Sequence, residues 1–276
     1  SNSLSKLVIL DLSGNELKLK HLNVDGHLSL EACELHGKFP IQVFQLPNLQ
    51  TVHASFNLFL VGSLPDFHKS SSLVSLRLAN TGLSGLLPES IGNLQSLSVL
   101  DVSYFSFSGK IPNSLANLTE LTALLLYGLA SRVESCHQRH NGFHGAMGSP
   151  KSNEFPELRN IDLSFNEFVG RLASLHFQRW NAMQVVDVGK LNYLQANISF
   201  EVPQRNWNFN SSYAMTMTMA GVKTKYDKIQ ECLVAIDLSR NKFEGSIPQS
   251  FQQLTFRSTS IIIGESHGTS SFRPFS

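Results

Sequence analysis

Few side chains in this 276-residue chain stand at spacings that chemistry would use. Gly264-Glu265-Ser266-His267-Gly268 follows the apolar Ile261-Ile262-Ile263 and has the form of a strand leading into a nucleophile elbow. An elbow needs a helix after it, then an acid and a histidine downstream. Only eight residues follow Gly268, and none is Asp, Glu or His, so the serine has no base. Cys136, His137, His140 and His144 form the metal-like cluster, and 136, 140 and 144 would share one helical face. Zinc closes on four ligands held by a supporting shell. This cluster falls on an irregular stretch, so it reads as a loop and no metal is expected. Asp11, Asp101, Asp162 and Asp237 resemble a catalytic carboxylate set, but they recur one per repeat at a fixed slot. No two of them are set apart as acid and base. With no Walker A loop and no Gly-x-Gly-x-x-Gly, no nucleotide or other cofactor is expected, and the chain reads as not an enzyme.

Composition narrows the alternatives. Lys plus Arg is 22 against 21 for Asp plus Glu, so no charge excess points to nucleic acid or an anionic membrane. Charged residues make up 16%, and hydrophobic residues at 42% are ample for a core. The longest nearly apolar run, Leu121 to Ala130, falls short of the roughly 20 residues that cross a bilayer. Three scattered cysteines exclude a dense disulfide scaffold. Three sequons, Asn117-Leu-Thr119, Asn197-Ile-Ser199 and Asn210-Ser-Ser212, are candidate glycosylation sites.

The elements that must position any site come from internal repetition. The opening runs Leu4-x-x-Leu7-x-x-Leu10-x-Leu12-x-x-Asn15-x-Leu17. The frame returns from Leu22 to Pro40, from Leu46 to Pro65, from Leu73 to Pro88 and from Leu94 to Pro112. A sixth copy begins at Leu118, Leu121, Leu124 and Leu126. Asn57, Thr81, Phe105 and Leu129 occupy the asparagine slot at intervals of 24. Leu-x-Leu alternation makes a short strand whose leucines face inward. The slot asparagine satisfies backbone groups where the chain leaves the strand. Cys33 and Thr81 keep some of that capacity, whereas Phe105 and Leu129 lack it, so weaker turns are expected there. One repeat buries roughly six large side chains, on the order of 10 kcal/mol. Ordering its backbone costs more, at ~1–2 kcal/mol per residue. Repeats must therefore stack, and the fold class expected is an α/β-type repeat solenoid with a parallel β-sheet on its concave side.

The frame breaks twice. Residues 128–140 supply no strand half, and Asn141-Gly-Phe143-His-Gly145-Ala-Met147 looks like the back half of a repeat. The division expected is repeats over 1–127, a partial junction at 128–147, and one repeat at 148–172. A non-repeat stretch at 173–229 follows, then one repeat at 230–254 and an unrelated, disordered tail at 255–276.

These repeats resemble plant-type extracellular leucine-rich repeats. The likeness rests on Phe107-Ser-Gly109-Lys-Ile111-Pro112 and Phe243-Glu-Gly245-Ser-Ile247-Pro248. The stretch at 173–229 resembles the island of plant leucine-rich-repeat receptor-like proteins, in the disease-resistance branch with Cf- and Verticillium-resistance-type receptors. Its matching residues are Tyr213, Thr216, Thr218, Gly221, Tyr226, Lys228 and Ile229, with Ala220 where the family usually has lysine. That family implies a right-handed superhelix, and sites usually glycosylated at the position of Asn117. It also implies a secretion signal, a cysteine-pair cap, a membrane span and several repeats after the island. The sequence shows none of these, so the chain reads as a truncated or mis-spliced fragment.

Rungs ~4.8 Å apart let side chains from several repeats converge on one ligand. The concave candidates are His53, Phe56, Arg77, Asn80, Asp101, Tyr104 and Tyr127. The resemblance implies that they meet an extracellular peptide or protein ligand. It also implies signalling in defence through partner receptor kinases, at the outer face of the plasma membrane. Tyr213, Thr216, Tyr226 and Lys228 would then face a ligand or co-receptor. The alternatives are a leucine-rich-repeat inhibitor of a secreted cell-wall-degrading enzyme, or a fragment without function.

Overall fold

The structure, a computed structural model, describes residues 9–11, 26–128, 141–148, 154–184, 195–202, 205–212, 215–219, 222–226, 233–246, 248, 250 and 260–262. In chain order the first strands are β1 (Ile9–Asp11), β2 (His27–Ser29), β3 (His36–Lys38), β4 (Thr51–His53), β5 (Phe59–Gly62), β6 (Ser75–Arg77) and β7 (Gly82–Leu86). Then come β8 (Val99–Asp101), β9 (Ser106–Gly109), β10 (Ala123–Leu125), β11 (Gly142–Ala146), β12 (Asn160–Asp162) and β13 (Glu167–Arg171). Two helices, α1 (Ser174–Arg179) and α2 (Asn181–Gln184), follow. The remaining strands are β14 (Gln195–Val202), β15 (Arg205–Ser212), β16 (Met215–Met219), β17 (Val222–Tyr226), β18 (Ala235–Asp237), β19 (Lys242–Glu244) and β20 (Ser260–Ile262).

Among the described residues, seven rungs contribute one short strand to each of two parallel sheets, and β1 and β20 extend the first. The first sheet has the order β1-β2-β4-β6-β8-β10-β12-β18-β20, and the second β19-β13-β11-β9-β7-β5-β3. Central leucines stack in register, with Val52 beside Leu76, Leu76 beside Leu100, Leu100 beside Leu124 and Leu124 beside Ile161. These side chains are buried in one continuous core running from Leu28 to Leu238. Within the second-sheet strands, glycines with positive φ, such as Gly85 at 105° in β7 and Gly109 at 88° in β9, bend the chain in a way that other residues resist. Pro88 and Pro112 then cap short 3-10 turns, Glu89–Asn93 and Asn113–Asn117. The alternation of Leu-x-Leu and the Gly-x-x-Pro ending thus define one coil of a leucine-rich-repeat solenoid.

The slot asparagine ties successive coils. Asn57 Nδ2 donates to the carbonyls of Leu30 at 2.8 Å, Ala54 at 2.8 Å and Ser55 at 3.2 Å. Its Oδ1 accepts from the backbone N–H of Cys33 at 3.1 Å and Leu35 at 3.0 Å. Asn166 and Asn241 repeat this pattern four and five rungs later, and their Oδ1 atoms accept from the backbone N–H of Phe143 and Phe168. Phe105, expected to weaken its turn, is instead fully buried and stacked on Phe107 at 4.7 Å, with Phe143 beyond it. An aromatic pile replaces the amide there.

Three sequence boundaries shift. Leu129 was expected in the slot, but Asn141 fills it, donating to Val102, Leu126 and Tyr127 at 3.1, 2.8 and 3.2 Å. β10 and β11 therefore belong to one coil, and the stretch 129–140, outside the described residues, intervenes within it. Helices α1 and α2 stand where other coils carry a 3-10 turn, and Phe177, Trp180 and Met183 join the shared core. Residues 174–184 are thus built into the solenoid although the repeat frame stops at 172. Within the expected tail, residues 260–262 form β20, in register beside β18.

Replacing Asn57 with alanine would take the amide from the N–H groups of Cys33 and Leu35 and from the carbonyls of Leu30 and Ala54, while the Ser55 carbonyl keeps its bond from the Ala32 N–H. Urea denaturation should show a loss of about 2–4 kcal/mol, with a smaller loss for Asn57→Thr.

Candidate functional site

Outward positions of the first sheet form columns along the solenoid. One column holds His27, Thr51, Ser75, Val99, Ala123, Asn160 and Ala235; the next holds Ser29, His53, Arg77, Asp101, Leu125, Asp162 and Asp237. The first column is buried throughout, because its side chains are mostly small and neighbouring rungs close over them. Arg77 and Asp101 remain partly open to solvent.

A third set lies just before the slot. Ala32, Phe56, Asn80, Tyr104, Phe165 and Arg240 all adopt left-handed backbone, with φ of 52°, 61°, 57°, 56°, 54° and 56°. Each such residue other than glycine or asparagine carries strain of about 1–2 kcal/mol. Lateral bonding holds them there: Phe56 N–H donates to the Ala79 carbonyl, Asn80 to Ser103, Tyr104 to Tyr127 and Phe165 to Ser239, at 2.8 to 3.0 Å. The turn carries these side chains to the rim of the face. Phe56 is 49% exposed.

The candidates from the sequence divide accordingly. Phe56, Arg77, Asn80, Asp101 and Tyr104 are accessible, whereas His53 and Tyr127 are buried at 8% and 6% exposure. His53 Nε2 and Ser75 Oγ are 3.1 Å apart, and His27, which sequence reading did not single out, packs edge-on against His53 at 5.5 Å. His27 also hydrogen-bonds Thr51. Its signal lay in the spacing, since His27, Thr51 and Ser75 stand 24 apart. Tyr104 meets Tyr127 edge to face at 4.8 Å. Burial, then Asp101, Tyr104 and Asp162, push the Tyr127 phenol well above its usual range. Burial raises the Asp101 carboxyl, against the pull of the Ser103 N–H and Arg77.

The island candidates are placed in part. Thr216 lies in β16 and Tyr226 in β17, which pair as a hairpin; Tyr213 and Lys228 lie outside the described residues. Asn117 is exposed at the end of its 3-10 turn. Asn197 and Asn210 are directly opposite one another in the hairpin of β14 and β15. Of the metal-like cluster only His144 is described, exposed in β11, and the described residues contain no group of three or more His, Cys, Asp or Glu able to hold a metal. The Gly264–Gly268 motif lies outside the described residues. No described helix is long and apolar enough to cross a membrane.

Burial, then the positive Arg77 and neighbouring His27, hold His53 well below the usual histidine range. The unfolded chain therefore binds this proton more readily, and stability should fall as pH drops below about 6.5. Denaturation midpoints compared with His53→Gln, which should flatten that part of the profile, test this.

The Leucine Rich Repeat family model matches residues 72–94, 96–118 and 232–254. Receptor-like protein 18 of Arabidopsis thaliana is 30% identical over 73% of this chain and 21% of its own length. The solved structure of PEPR1–AtPEP1 superposes with a TM-score of 0.61 at 22% identity, covering 91% of this chain and 27% of that one. The Arabidopsis receptor kinase HAESA, solved with the peptide hormone IDA and the co-receptor SERK1, gives 0.52 at 32% identity over 62% of this chain and 28% of its own. The chain spans about a fifth of the length of Receptor-like protein 18. Coil geometry, asparagine ladder and these kinships together place the chain among the leucine-rich-repeat receptor-like proteins of plants.

Proposed function

We propose that the chain is a non-enzymatic, extracellular ligand-recognition segment of a plant receptor-like protein. Its partner is an exposed peptide or protein segment laid across rungs three to six. The observation that carries this reading is the rim of Phe56, Asn80 and Tyr104, held outward by left-handed backbone beside the half-open Arg77 and Asp101. Aromatic and arginine anchors beside hydrogen-bonding groups suit a binding hot spot. His53 and Tyr127 would act from beneath, fixing the surface that the ligand meets.

The complexes of PEPR1 with AtPEP1 and of HAESA with IDA and SERK1 support a peptide ligand and a co-receptor for this chain. Defence signalling through receptor kinases, at the outer face of the plasma membrane, is the finer form of the proposal. The kinship to Receptor-like protein 18 favours this reading over an enzyme inhibitor. Residues Tyr213, Thr216, Tyr226 and Lys228 of the island would form the second contact.

Photo-crosslinking to a fractionated pool of extracellular plant and microbial peptides tests the site. Arg77→Ala and Tyr104→Ala should each cut capture about tenfold or more, while Lys69→Ala should not. Equal capture by all three would overturn the concave-face assignment.

Secretory-pathway expression tests the sequons. Intact mass should show a glycan that Asn117→Gln removes. At Asn197 and Asn210, about 5 Å apart across the hairpin, a glycan on one site should crowd the other. Asn197→Gln should then raise occupancy at Asn210.

A further inference from the structure

The described chain leaves the solenoid after α2 and re-enters it at β18, yet β12 and β18 are immediate neighbours in the first sheet. At this seam Asp162 and Asp237 are partners in register. They are 1% and 0% exposed. Asp162 Oδ1 accepts from the N–H of Ser164 at 2.9 Å and from its hydroxyl at 2.6 Å, and Asp237 Oδ1 accepts from the Ser239 N–H at 2.9 Å. Among the described residues the Oδ2 atom of each has no hydrogen-bond partner. Asn160, two residues before Asp162 on the same side of β12, is also buried with both amide atoms unpaired, and it brings no charge.

Two buried carboxylates with free oxygens on adjacent strands need a positive charge or a proton. The described elements around them bring little charge. On the β10 side stand Leu125 and the Tyr127 phenol, with Asp101 one rung further. On the other side β20 contains Ser260, Ile261 and Ile262. β16, which approaches β18, reads Met-Thr-Met-Thr-Met, and the lysines Lys223 and Lys225 lie one strand beyond it in β17.

We propose that Asp162 and Asp237 share a single proton across the foot of the island, so that β18 closes on β12 with one negative charge and opens more readily once the second carboxyl ionises. One proton between the two Oδ2 atoms satisfies both orphans at once, and on ionisation it passes to solvent base. The direction of both titrations agrees, since burial and then the facing Asp237 raise Asp162 well above the carboxylate range, and burial raises Asp237. A folded state that binds the extra proton is favoured by acid and loses that advantage as pH rises. The seam is therefore tightest in an acidic medium.

Hydrogen exchange of the full chain reads this locally, where His53 does not interfere. The probes are the amides that bridge the seam: Leu163 to the Asp237 carbonyl, Phe165 to Ser239 and Ala235 to Arg159. Corrected for intrinsic rates, their protection should fall about tenfold between about pH 5 and about pH 8. Asp237→Asn, which mimics the protonated acid, should hold protection high and flat across that range. The exposed-site control Asp66→Asn should retain the fall. Protection that rises with pH overturns the proposal, because a dianion neutralised by Lys223, Lys225 or a bound metal would behave that way. Protection that is flat in the unsubstituted chain, or that drops when chelator is added, overturns it as well. If Asp237→Asn does not fold, carbon-13 carboxyl NMR of the unsubstituted chain decides. One of the two carboxyls still protonated near neutral pH supports the shared proton, and two fully ionised carboxylates refute it.

Discussion

The buried amide of the slot asparagine is the interaction on which the rest of the fold depends. A chain that leaves a strand and turns sideways every 24 or so residues exposes carbonyls and N–H groups to an apolar interior. An unpaired group there costs about 1–3 kcal/mol. Asn57 satisfies five such groups in two consecutive coils. The leucines supply the bulk of the driving force, but they would pack in many registers. The amide selects the one in which rung lies on rung, and so fixes which side chains reach the concave rim.

Much of this was legible in the sequence because the constraint is periodic. Leucine spacing gave the inward column, and the Gly-x-x-Pro endings gave the turn into the next coil. The repeat that continues through Asn141 was harder to read. Its slot is filled twelve positions beyond the regular spacing, and the bonds of Asn141 to Leu126 and Tyr127 join the halves. Phe105 is a different case. Its loss of bonding capacity is real, but stacking on Phe107 replaces polar pairing with apolar contact. The core role of Phe177, Trp180 and Met183 was hidden because their helical spacing differs from the 3-10 turns they replace.

The candidate face was read less completely. Pattern identified which positions turn outward, and Arg77, Asp101 and Tyr104 are among the accessible ones. It could not show that Thr51, His53 and Ser75 are closed over by neighbouring rungs, since burial depends on the sizes of residues 24 positions away. Nor could it show the left-handed backbone at Phe56 and Tyr104, where no glycine marks the turn. That conformation is imposed by the adjacent coil through the bonds to Ala79 and Tyr127.

Adjacency of β12 and β18 has a consequence for how such a chain can change over time. The detour between them begins and ends at rungs already locked by Asn166 and Asn241. Loop-closure cost grows only slowly with loop length. Residues in the detour can thus be added, lost or exchanged wholesale while the curvature and pitch of the scaffold stay constant. Diversification can be concentrated in a cassette whose two attachment points keep their places in the sheet.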